Sequence, residues 1–172
     1  MNHLDLLPIV KRLEAYHIPY ALGGSGMLRY LNLIHEVNDW DLMVECPKST
    51  LIEAIQDLDW AELPTGGHPF ASPYRISIES LQIDFIGHFA LHTESDIFHL
   101  PIASFAIWDG IRLSSPEVWY IAYSLMGRTA KANLLQDYLK SNRTRVNTAL
   151  IEHMLQTQGF TDELRATLSS FI

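Results

Sequence analysis

Leu6, Ile9, Val10 and Leu13 recur at i, i+3, i+4 and i+7, which predicts a helix over residues 3–16 with one buried face. Asn2 is a candidate cap, and Pro8 falls early enough in the helix to be tolerated. Pro19 disfavours helix at Ile18 and closes the segment. Tyr20-Ala21-Leu22 then reads as a short apolar strand running into Gly23-Gly24-Ser25-Gly26, and Met27, Tyr30, Leu31 and Ile34 restart a helical period. Residues 39–44 alternate as a strand does, and 49–58 read as a helix with Leu51, Ile55 and Leu58 inward.

The middle of the chain is strand-rich. Residues 74–79 and 81–86 form two alternating runs split at Ser80, a hairpin pattern. Short strands are expected between 97 and 113, with Asp109-Gly110 as a hairpin turn. From Ser114 the pattern becomes helical: Ser114-Ser115-Pro116-Glu117 carries a capping serine, an early proline and a first-turn acid. Val118, Ile121, Ala122 and Leu125 supply the stripe, and further helices are expected near 131–140, 145–157 and 161–171. Strands mixed with helices and then helices alone predict an α+β fold, a small mixed sheet flanked by helices. The expected division is a core over 1–113 and a helical segment packed on it over 114–172.

Composition narrows the function classes. With 172 residues and 48% hydrophobic residues the chain can bury a core, and a net charge of −8 disfavours a protein built to grip DNA or RNA backbones. The single Cys46 cannot form an internal disulfide and reads as a small buried residue. The charged, amphipathic N-terminus is unlike a signal peptide, and no apolar run is long enough to span a bilayer, so a cytoplasmic protein is expected.

Three features carry candidate chemistry. Gly23-Gly24-Ser25-Gly26 lies between strand and helix, where glycines permit a sharp turn and the helix start offers free N–H groups; it is otherwise simply a tight turn. It is not a Walker A loop, because no lysine lies between Gly23 and Ile34. Nor is it a dinucleotide fingerprint, because Arg29 stands at the third glycine position. Asp39-Trp40-Asp41 projects two carboxylates from one strand face, either a solvated face or an oxygen-rich site for Mg²⁺ or Mn²⁺. A calcium loop is excluded by Met43 and Val44. Asp84 interrupts the apolar strand Leu81–Ile86, and its alternative role is an ion pair with Arg75 on the neighbouring hairpin strand.

In this order, Gly23-Gly24-Ser25, then Asp39-Trp40-Asp41, then Asp84 resembles the polymerase-β-type nucleotidyltransferase superfamily, most of all its small aminoglycoside-type and minimal bacterial members. The resemblance covers residues ~5–90. It is weaker over 114–140, where Ala132 follows Lys131 in place of the common Arg-x-Lys-Asp arrangement of the stretch holding Arg128, Lys131 and Asp137. It implies the nucleotidyltransferase fold, with Gly23, Gly24 and Ser25 holding a nucleoside triphosphate and Asp39, Asp41 and Asp84 as catalytic, metal-binding carboxylates. Arg75 is a candidate phosphate contact. The implied reaction is attack of a small-molecule hydroxyl, aminoglycoside-like, on the α-phosphate with Mg²⁺ or Mn²⁺, releasing pyrophosphate. Asp84 would help deprotonate that hydroxyl.

Other readings stay open: nucleotidylation of a protein or tRNA in a toxin-like system, or a nucleotide-binding module without turnover. His88 and His92 lack the convergent partners of a zinc site, although His88 follows the Asp84 strand and is a candidate for a role near it. Trp40, Trp60, Trp108 and Trp119 read as core residues rather than stacking platforms.

Overall fold

The computed structural model describes residues 1–172. One helical turn at His3–Leu6, where Asn2 Oδ1 accepts from the Leu4 N–H at 3.1 Å, leads into α1 (Leu7–Ala15). The chain continues through β1 (Tyr20–Leu22), α2 (Gly24–Tyr30), β2 (Trp40–Val44) and α3 (Lys48–Ile55). There follow β3 (Ala61–Leu63), β4 (Tyr74–Ile78), β5 (Ile83–Gly87), β6 (Ala90–His92) and β7 (Ile97–His99). The hairpin β8 (Ser104–Trp108) and β9 (Ile111–Ser114) precedes α4 (Pro116–Leu125), α5 (Thr129–Ser141), α6 (Thr148–Met154) and α7 (Asp162–Ser169).

The expected mixed sheet has seven strands in the order β3-β4-β5-β2-β1-β9-β8, and β6-β7 form a separate ribbon. The predicted hairpins are β4-β5 and β8-β9, both antiparallel. In the first, a helical turn at Glu79–Leu81 and a left-handed Gln82 (φ 52°) make the reversal. Non-consecutive pairing is what the local pattern does not encode: β2 runs antiparallel to β1 but parallel to β5, and β9 runs parallel to β1.

Strand alternation sorts the core into two layers. Leu22, Leu42, Val44, Ile76, Phe85 and Leu113 face one side and pack with Leu6, Ile9, Val10 and Leu13 and with Leu51, Ala54 and Ile55 of α3. Met43 and Ile86 face the other side, where α2 and α4 through α7 assemble with Phe89, Leu91 and Phe98. Asp41, between Leu42 and Trp40, therefore belongs to the helix-rich face.

Several boundaries differ from the sequence pattern. The helix after the glycines starts at Gly24 and stops at Tyr30, because Asn32 takes a left-handed conformation (φ 60°) that removes Leu31 and Ile34 from the helix. α6 covers only part of 145–157, since Asn147 caps it by accepting from the Leu150 N–H at 3.0 Å. Ser115 occupies the N-cap of α4 without capping it; its hydroxyl bonds the Glu117 carboxylate instead. α4 is also buried on every side from Pro116 to Tyr123, not only along the Val118–Leu125 stripe. No helix is long and apolar enough to cross a membrane.

Candidate active site

Parallel pairing of β2 with β5 sets Asp41 opposite Asp84 in register. Asp39 lies one residue before β2 and is exposed, not on the strand as the alternation suggested, yet its carboxylate still converges. One ligand oxygen from each of Asp39, Asp41 and Asp84 lies within 4.8 Å of the other two. Three carboxylates this close repel one another. Burial, then Asp39 and Asp84, push Asp41 up to about 7, against the opposing pull of Arg128 and Lys131. Asp84 is likewise raised by burial, with Arg75 drawing it back. Like charges gathered in an oxygen-only cluster suit a hard divalent cation such as Mg²⁺ or Mn²⁺.

The glycine turn is built around these acids. The Gly23 N–H donates to the Asp41 carbonyl at 2.9 Å, tying the turn to the carboxylate strand. Gly24 has φ +53°, and a Cβ there would lie 2.0 Å from Asp41 Oδ2. A Cβ on Gly23 would lie 2.1 Å from the Trp119 ring. Both glycines are thus required by close approach, one to a carboxylate and one to an indole.

Ser25 follows, and Lys131 Nζ donates to its Oγ at 3.1 Å. The sequence pattern assigned anion binding to the amides at the helix start. With α2 only seven residues long, the stronger positive charge at the turn is the Lys131 ammonium, carried in by the first turn of α5. Arg128, at the N-cap of α5, lines a cavity of about 90 Å³ with Asp41, Arg75, Ser72 and Trp119. Arg75 reaches Asp84 at 3.3 Å, so the ion pair foreseen as Asp84's alternative role exists within the site.

Two histidine and acid candidates lie elsewhere. His88 sits past the far end of β5, about 13 Å of strand from Asp84, and bonds Glu45 at 2.6 Å. This corrects its candidacy for the site: strand direction carries it away. Asp137 is exposed and lies six residues along α5 from Lys131. Trp40 and Trp119 are buried, at 1% and 2% exposure, and Cys46 is buried with its Sγ 3.5 Å from the Tyr74 hydroxyl. The sequence reads Trp119 as a core residue, which its burial bears out, and does not single out Tyr123, which lies off the α4 stripe; the available signal was a tyrosine amid a largely apolar helix.

No family model matches the chain, and no curated protein matches it. Solved structures do. A candidate nucleotidyltransferase from Thermotoga maritima aligns over 83% of this chain and 97% of its own, with 18% identity and a TM-score of 0.58. The chain has the nucleotidyltransferase fold. This fold also aligns with ANT(2″)-Ia in complex with adenylyl-2″-tobramycin, over 98% of both chains, at 13% identity and a TM-score of 0.55. The solution structure of the antibiotic-resistance factor ANT(2″)-Ia aligns over 90% of this chain and 97% of its own, at 14% identity and a TM-score of 0.56. At 13–18% identity the likeness is one of fold.

Proposed function

We propose that this protein transfers a nucleoside monophosphate from a nucleoside triphosphate to a hydroxyl of a small, aminoglycoside-like acceptor, releasing pyrophosphate. The observation that carries the reading is the meeting of Asp39, Asp41 and Asp84, within 4.8 Å, beside a turn whose Ser25 already holds a lysine. The complex of ANT(2″)-Ia with adenylyl-2″-tobramycin, on the same fold, supports the small-molecule acceptor class.

Asp39, Asp41 and Asp84 would hold Mg²⁺ or Mn²⁺, which neutralises charge on the transferring phosphoryl group and the leaving pyrophosphate. Lys131 and the Ser25 hydroxyl hold the outer phosphates, so the α-phosphorus lies toward the carboxylates. The acceptor oxygen bonds the α-phosphorus as the bond to the β-phosphate oxygen breaks, and the acceptor proton passes to Asp84. Burial raises that carboxyl's proton affinity, and Arg75 at 3.3 Å keeps it ionised enough to accept. Catalysis rests on positioning and charge rather than on a covalent intermediate.

The test is pyrophosphate release from each nucleoside triphosphate with Mg²⁺ against a panel of aminoglycosides, and mass analysis of the acceptor. Asp39→Asn abolishes turnover while leaving the exposed position's fold intact. Release that is metal-independent, or undiminished in Asp39→Asn, rejects the assignment.

A further inference from the structure

Only three buried side-chain polar atoms in the molecule lack a hydrogen-bond partner: Ser114 Oγ, Trp119 Nε1 and Tyr123 Oη. All fall within ten consecutive residues, from the end of β9 through the first two turns of α4. Native interiors pair their polar atoms almost completely, so three orphans in one place call for a cause. Their place in the fold supplies one. β9 lies beside β1, with Leu113 opposite Leu22, so Ser114 stands level with Gly23. Because Leu113 belongs to the α1–α3 layer, alternation turns Ser114 toward the helix-rich face that carries Asp41.

Trp119 and Tyr123 are four residues apart, hence one above the other on α4, with ring centroids 5.3 Å apart. The Trp119 indole lies directly over Gly23: a Cβ there would be 2.2 Å from Nε1. The Tyr123 ring has Lys131 Nζ 5.5 Å from its centroid, the same ammonium that bonds Ser25. Burial raises the phenol's proton affinity and Asp41 and Asp39 push in the same direction against Arg128, so the hydroxyl stays neutral and able to donate. Phenylalanine would fill this position as well for packing alone. Tyr120, on the same helix, marks the contrast: its hydroxyl has the side chains of Thr167 and Ser124 beside it.

We propose that Trp119 and Tyr123 form the rear wall of the triphosphate subsite, and that Nε1–H and Oη–H donate to non-bridging phosphate oxygens there. The inference rests on the nucleotidyltransferase reading and extends it to two residues of α4. Lys131 spans Ser25 and the Tyr123 ring; when a phosphate takes the ammonium from Ser25, Lys131 shifts with it and uncovers the hydroxyl. The two donors are unmet before binding and met after it, so they favour the loaded state over the empty one. Neither needs to ionise, and neither takes part in bond making.

The experiment uses inorganic triphosphate with Mg²⁺ as the probe, which needs neither a base nor an acceptor. Binding is measured by calorimetry, and unfolding of the ligand-free protein by thermal melting. Tyr123→Phe is expected to melt at or above the wild-type temperature without ligand, since it removes an unpaired hydroxyl, while triphosphate binds about tenfold or more weakly. Trp119→Phe weakens binding in the same direction. Tyr120→Phe lowers the melting temperature and leaves affinity unchanged. Wild-type affinity in Tyr123→Phe overturns the inference while leaving the nucleotide reading intact. A ligand-free Tyr123→Phe that melts well below wild type and binds normally also overturns it, because the hydroxyl is then structural. A wild-type protein that binds no triphosphate in the presence of Mg²⁺ rejects the nucleotide reading and this inference with it.

Discussion

A Cβ on Gly24 would stand 2.0 Å from Oδ2 of Asp41, so the carboxylate occupies the volume that a side chain on the turn would need. Turn and acid are one unit, tied again by the 2.9 Å bond from the Gly23 N–H to the Asp41 carbonyl. Glycine at position 24 thus serves both the φ of +53° and the seat of a candidate metal ligand.

Gly24→Ala is therefore expected to destabilise the protein by about 2 kcal/mol through left-handed strain and displacement of Asp41. It also weakens Mn²⁺ binding by at least tenfold. Urea unfolding and Mn²⁺ titration check the two effects separately; unchanged Mn²⁺ affinity would show that the contact does not seat Asp41.

Metal-free stability depends on pH through Asp41. The folded carboxyl is pushed up to about 7 from an unfolded value of 3.8, so between these values the native state binds the extra proton. Stability from this group is thus present below about pH 4 and lost as pH rises through 7. Asp41→Asn removes the loss: at pH 8 without divalent ions the variant is more stable than wild type by about 2 kcal/mol, discounted for the solvent that still reaches the site. At low pH the two converge. Mn²⁺ at pH 8 stabilises wild type only. Parallel pH curves for the two proteins would contradict the assigned shift.

Lys131→Met keeps the aliphatic stem over Tyr123 and removes the charge. Ligand-free stability changes by less than about 1 kcal/mol, because the bond to Ser25 is part-buried and between one charged and one neutral group. Triphosphate affinity falls about 10–100-fold, and steepens its loss with salt less than wild type does. Equal affinity in the variant would remove Lys131 from the phosphate site.

Much of this was legible locally. The β4-β5 and β8-β9 hairpins follow from alternation, and the Asn2 cap from a single residue. The carboxylates stood out because Asp84 interrupts an apolar strand. What escaped was set by chain direction and neighbour choice. Asp39 lies outside β2, His88 is carried to the far end of β5, and Ser115 spends its hydroxyl on Glu117 rather than on a cap. Trp119 was legible as a core residue, but its unpaired indole N–H and the whole of Tyr123 escaped, because a helix buried on all sides has no polar face against which a misplaced donor would show.

The sequence by itself determined the turn, the strand alternation that aims Asp41, and the acidic excess that a divalent cation would neutralise, because φ preference, side-chain period and charge are properties of the chain segment alone. Tertiary structure alone decided that β2 pairs in parallel with β5, bringing Asp41 level with Asp84, and that α5 returns Lys131 to Ser25 across 106 residues. Those pairings depend on which apolar faces bury each other best, and no local pattern states that choice.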